Sequence, residues 1–107
     1  MSTTLTAAPA VTLPSADSRS VLTELRADCI RERAAALAES ATSVPDAVAV
    51  SRAGRLLATI GEIDAALLRI DEGSYGRCGH CGAQMSAERL EARPFAAACV
   101  ACEERTR

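Results

Sequence analysis

The 107-residue sequence has no lysine and no tryptophan, and only one phenylalanine, one tyrosine and one histidine. So few aromatics leave the chain short of the large side chains that usually fill a compact core, and a chain of this length then needs another source of stability. With His80 as the lone histidine, no nucleophile–base constellation can be picked out, so an enzyme is not expected. Positive charge is also thin. The 12 arginines are outnumbered by 14 acids, the net charge is -2, and no run of five or six basic residues occurs. A domain that grips phosphates normally carries a basic patch, so DNA is disfavoured as primary partner and direct sequence-specific DNA binding is not expected. No apolar stretch approaches the roughly 20 residues that span a bilayer, which excludes a membrane role. The first residues, MSTTLTAAPAVTLPSADS, have neither a basic n-region nor an apolar run of signal-peptide length. They read as a disordered tail over 1–17, and the chain as cytoplasmic with reduced thiols.

What is present is helical patterning and cysteine. SRSVLTELRADCIRERAAALAESA, residues 18–41, is free of Gly and Pro and predicts a helix whose apolar positions Leu22, Leu25, Cys29 and Ala36 fall at heptad spacing, with Glu32 interrupting. After the TSVPD break, Ser43 is placed to cap a second helix, with Pro45 in its first turn and Asp46 in capping-box position. Ala49, Ala53, Leu56, Ile60, Ile63, Leu67 and Ile70 then recur at alternating steps of four and three. That is a coiled-coil seam. Gly54 and Gly61 each weaken this helix by about 1 kcal/mol, and Gly73 ends it. The short connection makes the two helices antiparallel.

Four of the five cysteines fall into two CxxC pairs, Cys78 with Cys81 and Cys99 with Cys102, and seventeen residues separate the pairs. Two residues between ligands let a tight turn aim both sulfurs at one ion, and Gly82 allows backbone N–H groups to approach the thiolates. This spacing fits a four-cysteine metal site; thiolate ligands favour zinc, with iron as the other occupant of such a set. Four ligands leave no open position, so the expectation is one structural zinc per chain, which also supplies the stability that the aromatic-poor core lacks. A redox couple would want a strand–helix–strand context and would leave the second pair unexplained. His80 is expected to point outward, Cys29 to be a small seam residue, Met85 and Phe95 to be core of the metal module, and Ser86 to cap a short helix before Pro94. The fold class is thus mainly α: an antiparallel two-helix coiled-coil hairpin over 18–72, turning at about 42–46, joined to a small four-cysteine zinc-finger module over 73–107.

The run EIDAALLRIDEGSYGRCGHCGAQMSAERLEARPFAAACVAC, Glu62 to Cys102, resembles the C-terminal part of the DksA/TraR family of bacterial regulators that bind RNA polymerase. The match includes Gly73, Tyr75-Gly76, both cysteine pairs and the Arg89-Leu90-Glu91-Ala92-Arg93-Pro94 segment between them. The resemblance implies a non-enzymatic regulator. Its hairpin enters the secondary channel of RNA polymerase and its tip acids act near the active centre, in some members together with guanosine tetraphosphate. A full tip motif reads Asp, two residues, Asp, one residue, Ala. Here Asp46-Ala47-Val48-Ala49-Val50-Ser51 keeps the first acid, with Ala49 in the second acid position, so Asp46 and Ala49 are the candidate partner-binding positions. The alternatives are a zinc-stabilised adaptor, or a module that binds nucleic acid through Arg77, Arg89, Arg93, Arg105 and Arg107 and has lost polymerase regulation.

Overall fold

A computed structural model describes residues 16–41 and 46–105. Four helices follow in order: α1 Ala16–Ser40, α2 Ala47–Glu72, α3 Ala87–Ala92 and α4 Val100–Arg105. No strand occurs among the described residues, only an isolated antiparallel bridge between Arg77 and Gln84. No helix there is long and apolar enough to cross a membrane. Helix α1 takes in Ala16 and Asp17, two positions that the sequence reading gives to the tail, and residues 1–15 lie outside the described ones.

The hairpin is built on the seam. Leu22, Cys29 and Ala36 of α1 and Ala49, Ala53, Ile60 and Ile63 of α2 are buried, with Leu25, Leu56, Leu67 and Ile70 half-buried against them. Ala66, which the heptad pattern omits, is also fully buried. Glu32 is exposed, so the break in the α1 stripe leaves no charge in the seam. Ion pairs fix the register: Arg19 Nη2 lies 2.7 Å from Asp71 Oδ1 and Arg26 Nε 2.6 Å from Asp64 Oδ1, so seven residues forward on α1 match seven residues back on α2. Only antiparallel helices do this. A third pair, Arg52 to Glu39 at 3.1 Å, lies nearer the tip. These exposed pairs specify register more than they stabilise, at roughly 0–1 kcal/mol each.

The start of α2 differs from expectation. Ser43 and Pro45 lie outside the described residues, and Asp46 takes the capping role: its Oδ1 accepts from Val48 N at 3.0 Å and Ala49 N at 3.1 Å. A carboxylate satisfies these donors and opposes the positive helix end. At the other end Gly73 adopts φ 82, a left-handed conformation glycine accepts at little cost, and its N–H returns to Ile70 O at 3.2 Å. Over its 26 residues α2 reaches about 39 Å.

Side-chain bonds to backbone carbonyls join hairpin to module. Arg69 Nη2 of α2 donates to Phe95 O and Ala96 O at 3.4 and 3.2 Å, and Tyr75, a module residue buried in the hairpin's core cluster, donates through Oη to Pro94 O at 2.9 Å. Met85 is buried in the module's core as expected, whereas Phe95, expected there too, is half-buried and packs on the hairpin's core; the chain reverses after Pro94 and turns the ring toward the hairpin.

Candidate metal centre

Each CxxC pair sits in its own tight turn. In the first, the bridge between Arg77 and Gln84 brings the chain back on itself, Cys78 N donates to Ala83 O at 2.8 Å, and Gly82 N donates to Cys78 O at 3.0 Å. Gly82 holds φ 75, which closes the turn, and its own N–H goes to the Cys78 carbonyl and not to a sulfur. The second pair straddles the start of α4: Cys99 precedes it, Cys102 lies in its first turn, and Glu103 N donates to Cys99 O at 2.9 Å. Between the pairs runs α3, capped by Ser86 Oγ, which accepts from Arg89 N at 3.0 Å.

The two turns touch at a glycine that the sequence reading does not single out. Gly79 N donates to Ala97 O at 2.8 Å, and a Cβ on Gly79 would stand 3.3 Å from that same oxygen. A side chain there would require the Ala97 carbonyl to give by a few tenths of an ångström. Arg89 ties α3 to the second turn, donating through Nη2 to Ala98 O at 3.0 Å and to Glu103 Oε1 at 2.8 Å, while Arg93 Nη1 reaches Glu103 Oε2 at 3.4 Å. No periodicity marks such struts. Their signal in the sequence is only that arginines fall between the cysteine pairs.

The four cysteines come together. The Sγ atoms of Cys78, Cys81, Cys99 and Cys102 all lie within 4.8 Å of one another, and Cys81 Sγ and Cys99 Sγ are 3.9 Å apart. Sulfurs about 2.3 Å from a central zinc ion would form a tetrahedron with edges of about 3.8 Å, so the cluster has the size such an ion needs. None of the four is in a disulfide. Cys78 and Cys102 are buried, Cys99 is half-buried and Cys81 faces solvent, so the centre sits at the module's surface.

Electrostatics point the same way. The Cys81 backbone N–H, then those of Cys99 and His80, draw the Cys78 thiol down to about 5. A side-chain hydrogen bond with Cys99, then burial, pushes the Cys102 thiol up to about 12. A cation among the four sulfurs would offset the charge of thiolates there. Two donors already address the sulfurs: His80 N–H to Cys78 Sγ at 3.4 Å, and Arg105 Nη2 to Cys102 Sγ at 3.1 Å. His80 itself is exposed and outside the cluster. Cys29 is buried in the seam, where burial, then Glu32 and Asp28, raise its thiol and keep it unreactive.

The candidate tip residues lie at the far end of α2. Asp46 is half-buried at the cap, and Ala49 is 1% exposed within the seam, a placement that counts against Ala49 as a contact residue. The arginines offered for nucleic acid are largely engaged inside the module: Arg77 Nη1 donates to Gly82 O at 3.2 Å, Arg89 and Arg93 hold Glu103, and Arg105 is on Cys102. Arg107 lies outside the described residues.

No family model matches the chain. Among curated proteins it is similar to the RNA polymerase-binding transcription factor DksA of Caulobacter vibrioides, 38% identical over 90 residues that make up 83% of this chain and 62% of the relative. The chain thus spans less than two thirds of the length of that relative. An uncharacterized protein of Aquifex aeolicus is 44% identical over 48 residues, 45% of this chain and 33% of that one. Among solved structures, transcription factor DksA2 from Pseudomonas aeruginosa superposes with a TM-score of 0.69 at 25% identity, covering 92% of this chain and 84% of that one.

Proposed function

We propose a polymerase-directed function from one premise: the chain belongs to the DksA/TraR family. It is a transcription regulator that binds RNA polymerase through protein contacts and catalyses no reaction of its own. The observation that carries this reading is the 38% identity to an RNA polymerase-binding factor over 90 residues, a length that takes in hairpin and metal module together. The hairpin, about 39 Å along α2, is the part that enters the secondary channel, with Asp46 at its leading end. Cys78, Cys81, Cys99 and Cys102 hold one zinc ion as a closed structural centre, which supplies folding free energy to a module with few apolar side chains of its own. Its site of action is the cytoplasm, where polymerase works.

The nucleic-acid alternative has less support. Its arginines are spent on the module's own carbonyls and on Glu103, and four thiolates with one divalent ion add about -2 to an already acidic chain. Co-purification of the tagged full chain with core polymerase from its own cells tests the proposal, followed by transcription in vitro with and without guanosine tetraphosphate. Stoichiometric capture of polymerase is the expected result. A chain that captures no polymerase, or that binds duplex DNA as tightly without it, overturns the reading.

A further inference from the structure

Along one flank of the hairpin, residues facing each other across the two helices form a ladder, Arg19 with Asp71 and then Arg26 with Asp64. Two further steps of seven toward the tip set Arg33 level with Leu57, and Ser40 level with Val50. The acid disappears at the third rung. Arg33 has no ion-pair partner among the described residues, and its Nε is shielded from water yet makes no hydrogen bond. Apolar side chains surround it in the open. Ile30 and Leu37 flank Arg33 on α1 and are 43% and 40% exposed, while Val50 and Leu57 on α2 are each 52% exposed. Between those two lies Gly54, where a Cβ would meet nothing within 4 Å, so α2 presents a notch near the level of Arg33.

Two stripes at helical spacing, side by side on adjacent helices, form the seat that a third helix takes in a bundle. The chain has no such helix among its described residues. A cation set among apolar groups selects a partner that brings apolar contacts and a carboxylate together, because guanidinium–carboxylate bonds strengthen as water is excluded. We infer that Ile30, Arg33, Leu37, Val50 and Leu57 form a docking face for an amphipathic helix of the partner protein, with a carboxylate on Arg33 and an apolar side chain over Gly54. The inference rests on the polymerase reading above and names the flank of the hairpin that carries the contact. A second copy of this chain fits worse. A two-fold contact centred here sets Arg33 beside Arg33, and Asp64 on the same flank and Glu39 toward the tip are already engaged by Arg26 and Arg52.

The test measures affinity of the zinc-loaded full chain for core polymerase, with melts and sedimentation on each variant. Leu37→Gln with Leu57→Gln, and separately Arg33→Glu, should each weaken binding by about tenfold or more at unchanged melting and zinc content, since all three side chains already meet solvent. Val21→Gln, on the opposite flank, should leave affinity unchanged. Wild type that binds while the double variant and Arg33→Glu bind equally well overturns the face and leaves the polymerase reading standing. Wild type that does not bind overturns both. A wild-type dimer that the double variant converts to monomer assigns the face to a second copy and overturns the proposed occupant.

Discussion

The hairpin and the metal module are held together by different physics. In the hairpin a repeated apolar pattern buries Leu22, Ile60 and Ile63 along a continuous seam, and no single contact decides the fold. In the module the buried cluster is Cys78, Met85, Ala96 and Cys102, half of it sulfur that belongs to the metal centre. Stability in the hairpin is distributed, whereas in the module, on the proposed zinc reading, it is concentrated in one ion and a few arginine and glycine contacts. The two halves should therefore fail independently and by different causes.

The sharpest break in that comparison is removal of one ligand. Cys99→Ser should reduce zinc from one equivalent to near none and abolish ordered structure in the module, while the far-ultraviolet helical signal of the hairpin largely persists. Cys29→Ser should keep full zinc, because its thiol sits in the seam away from the cluster. Elemental analysis with circular dichroism reads both. A Cys99→Ser protein with full zinc would sink the ligand assignment, and one that lost all helix would sink the independence of the halves.

Damage to the seam should do the reverse. Ile63 is fully buried with no basic residue beside it in the seam, so Ile63→Asp should cost about 3–5 kcal/mol and lower the hairpin's melting temperature while zinc remains bound. Ala49→Asp falls in the same class: a carboxylate at a site 1% exposed disrupts the first turns of α2 before it can act as a second tip acid. Arg55 is exposed and bonded to Ser51 Oγ at 3.1 Å, one turn back on its own helix, so Arg55→Ala should be nearly neutral. Equal melts for Ile63→Asp and Arg55→Ala would refute the register.

A smaller effect tests the joint between the halves. Tyr75→Phe deletes the bond to Pro94 O and the hydroxyl's hydrogen bond with Ser18 of α1 and leaves the ring in place, for an expected loss of about 1–2 kcal/mol. Because the Tyr75 hydroxyl links Ser18 of the hairpin to Pro94 of the module, the loss should appear only while the metal is bound. A double-mutant cycle with Cys99→Ser measures this, and an equal Tyr75→Phe penalty in both backgrounds would mean that the joint does not depend on the metal.

Those two kinds of cohesion also decide what could be read from the sequence. A seam declares itself through a period: Ala49, Ala53, Ile60 and Ile63 are named by their spacing alone and are buried in the structure. A four-ligand set declares itself through paired spacing, and the four sulfurs do converge. Contacts that recur nowhere stay hidden. Gly79 against Ala97 O, Arg69 on two carbonyls after Pro94, and Phe95 turned toward the hairpin each depend on how the chain folds between the cysteine pairs, which no local pattern encodes. The cap of α2 falls between these cases. Two residues with capping side chains, Ser43 and Asp46, stand three apart, and propensity alone does not choose between them.

The smallest expected effect on stability is at that cap, and it separates folding from regulation. Asp46 accepts from two backbone N–H groups through one oxygen, and asparagine offers the same acceptor with nearly equal capping strength. Asp46→Asn should therefore shift stability by only a few tenths of a kcal/mol, chiefly the lost attraction between a carboxylate and the positive end of α2. On the proposed reading affinity for polymerase should hold too, since the docking face inferred above lies along the flank of the hairpin and does not include Asp46. What the substitution removes is a carboxylate charge at the start of α2, the end that the proposed function sends toward a catalytic magnesium, where it would alter the local field. Transcription in vitro is the readout. If Asp46→Asn binds polymerase as wild type does and its effect on initiation falls, the charge acts on the enzyme; if binding and effect are both unchanged, Asp46 is a helix cap and nothing more.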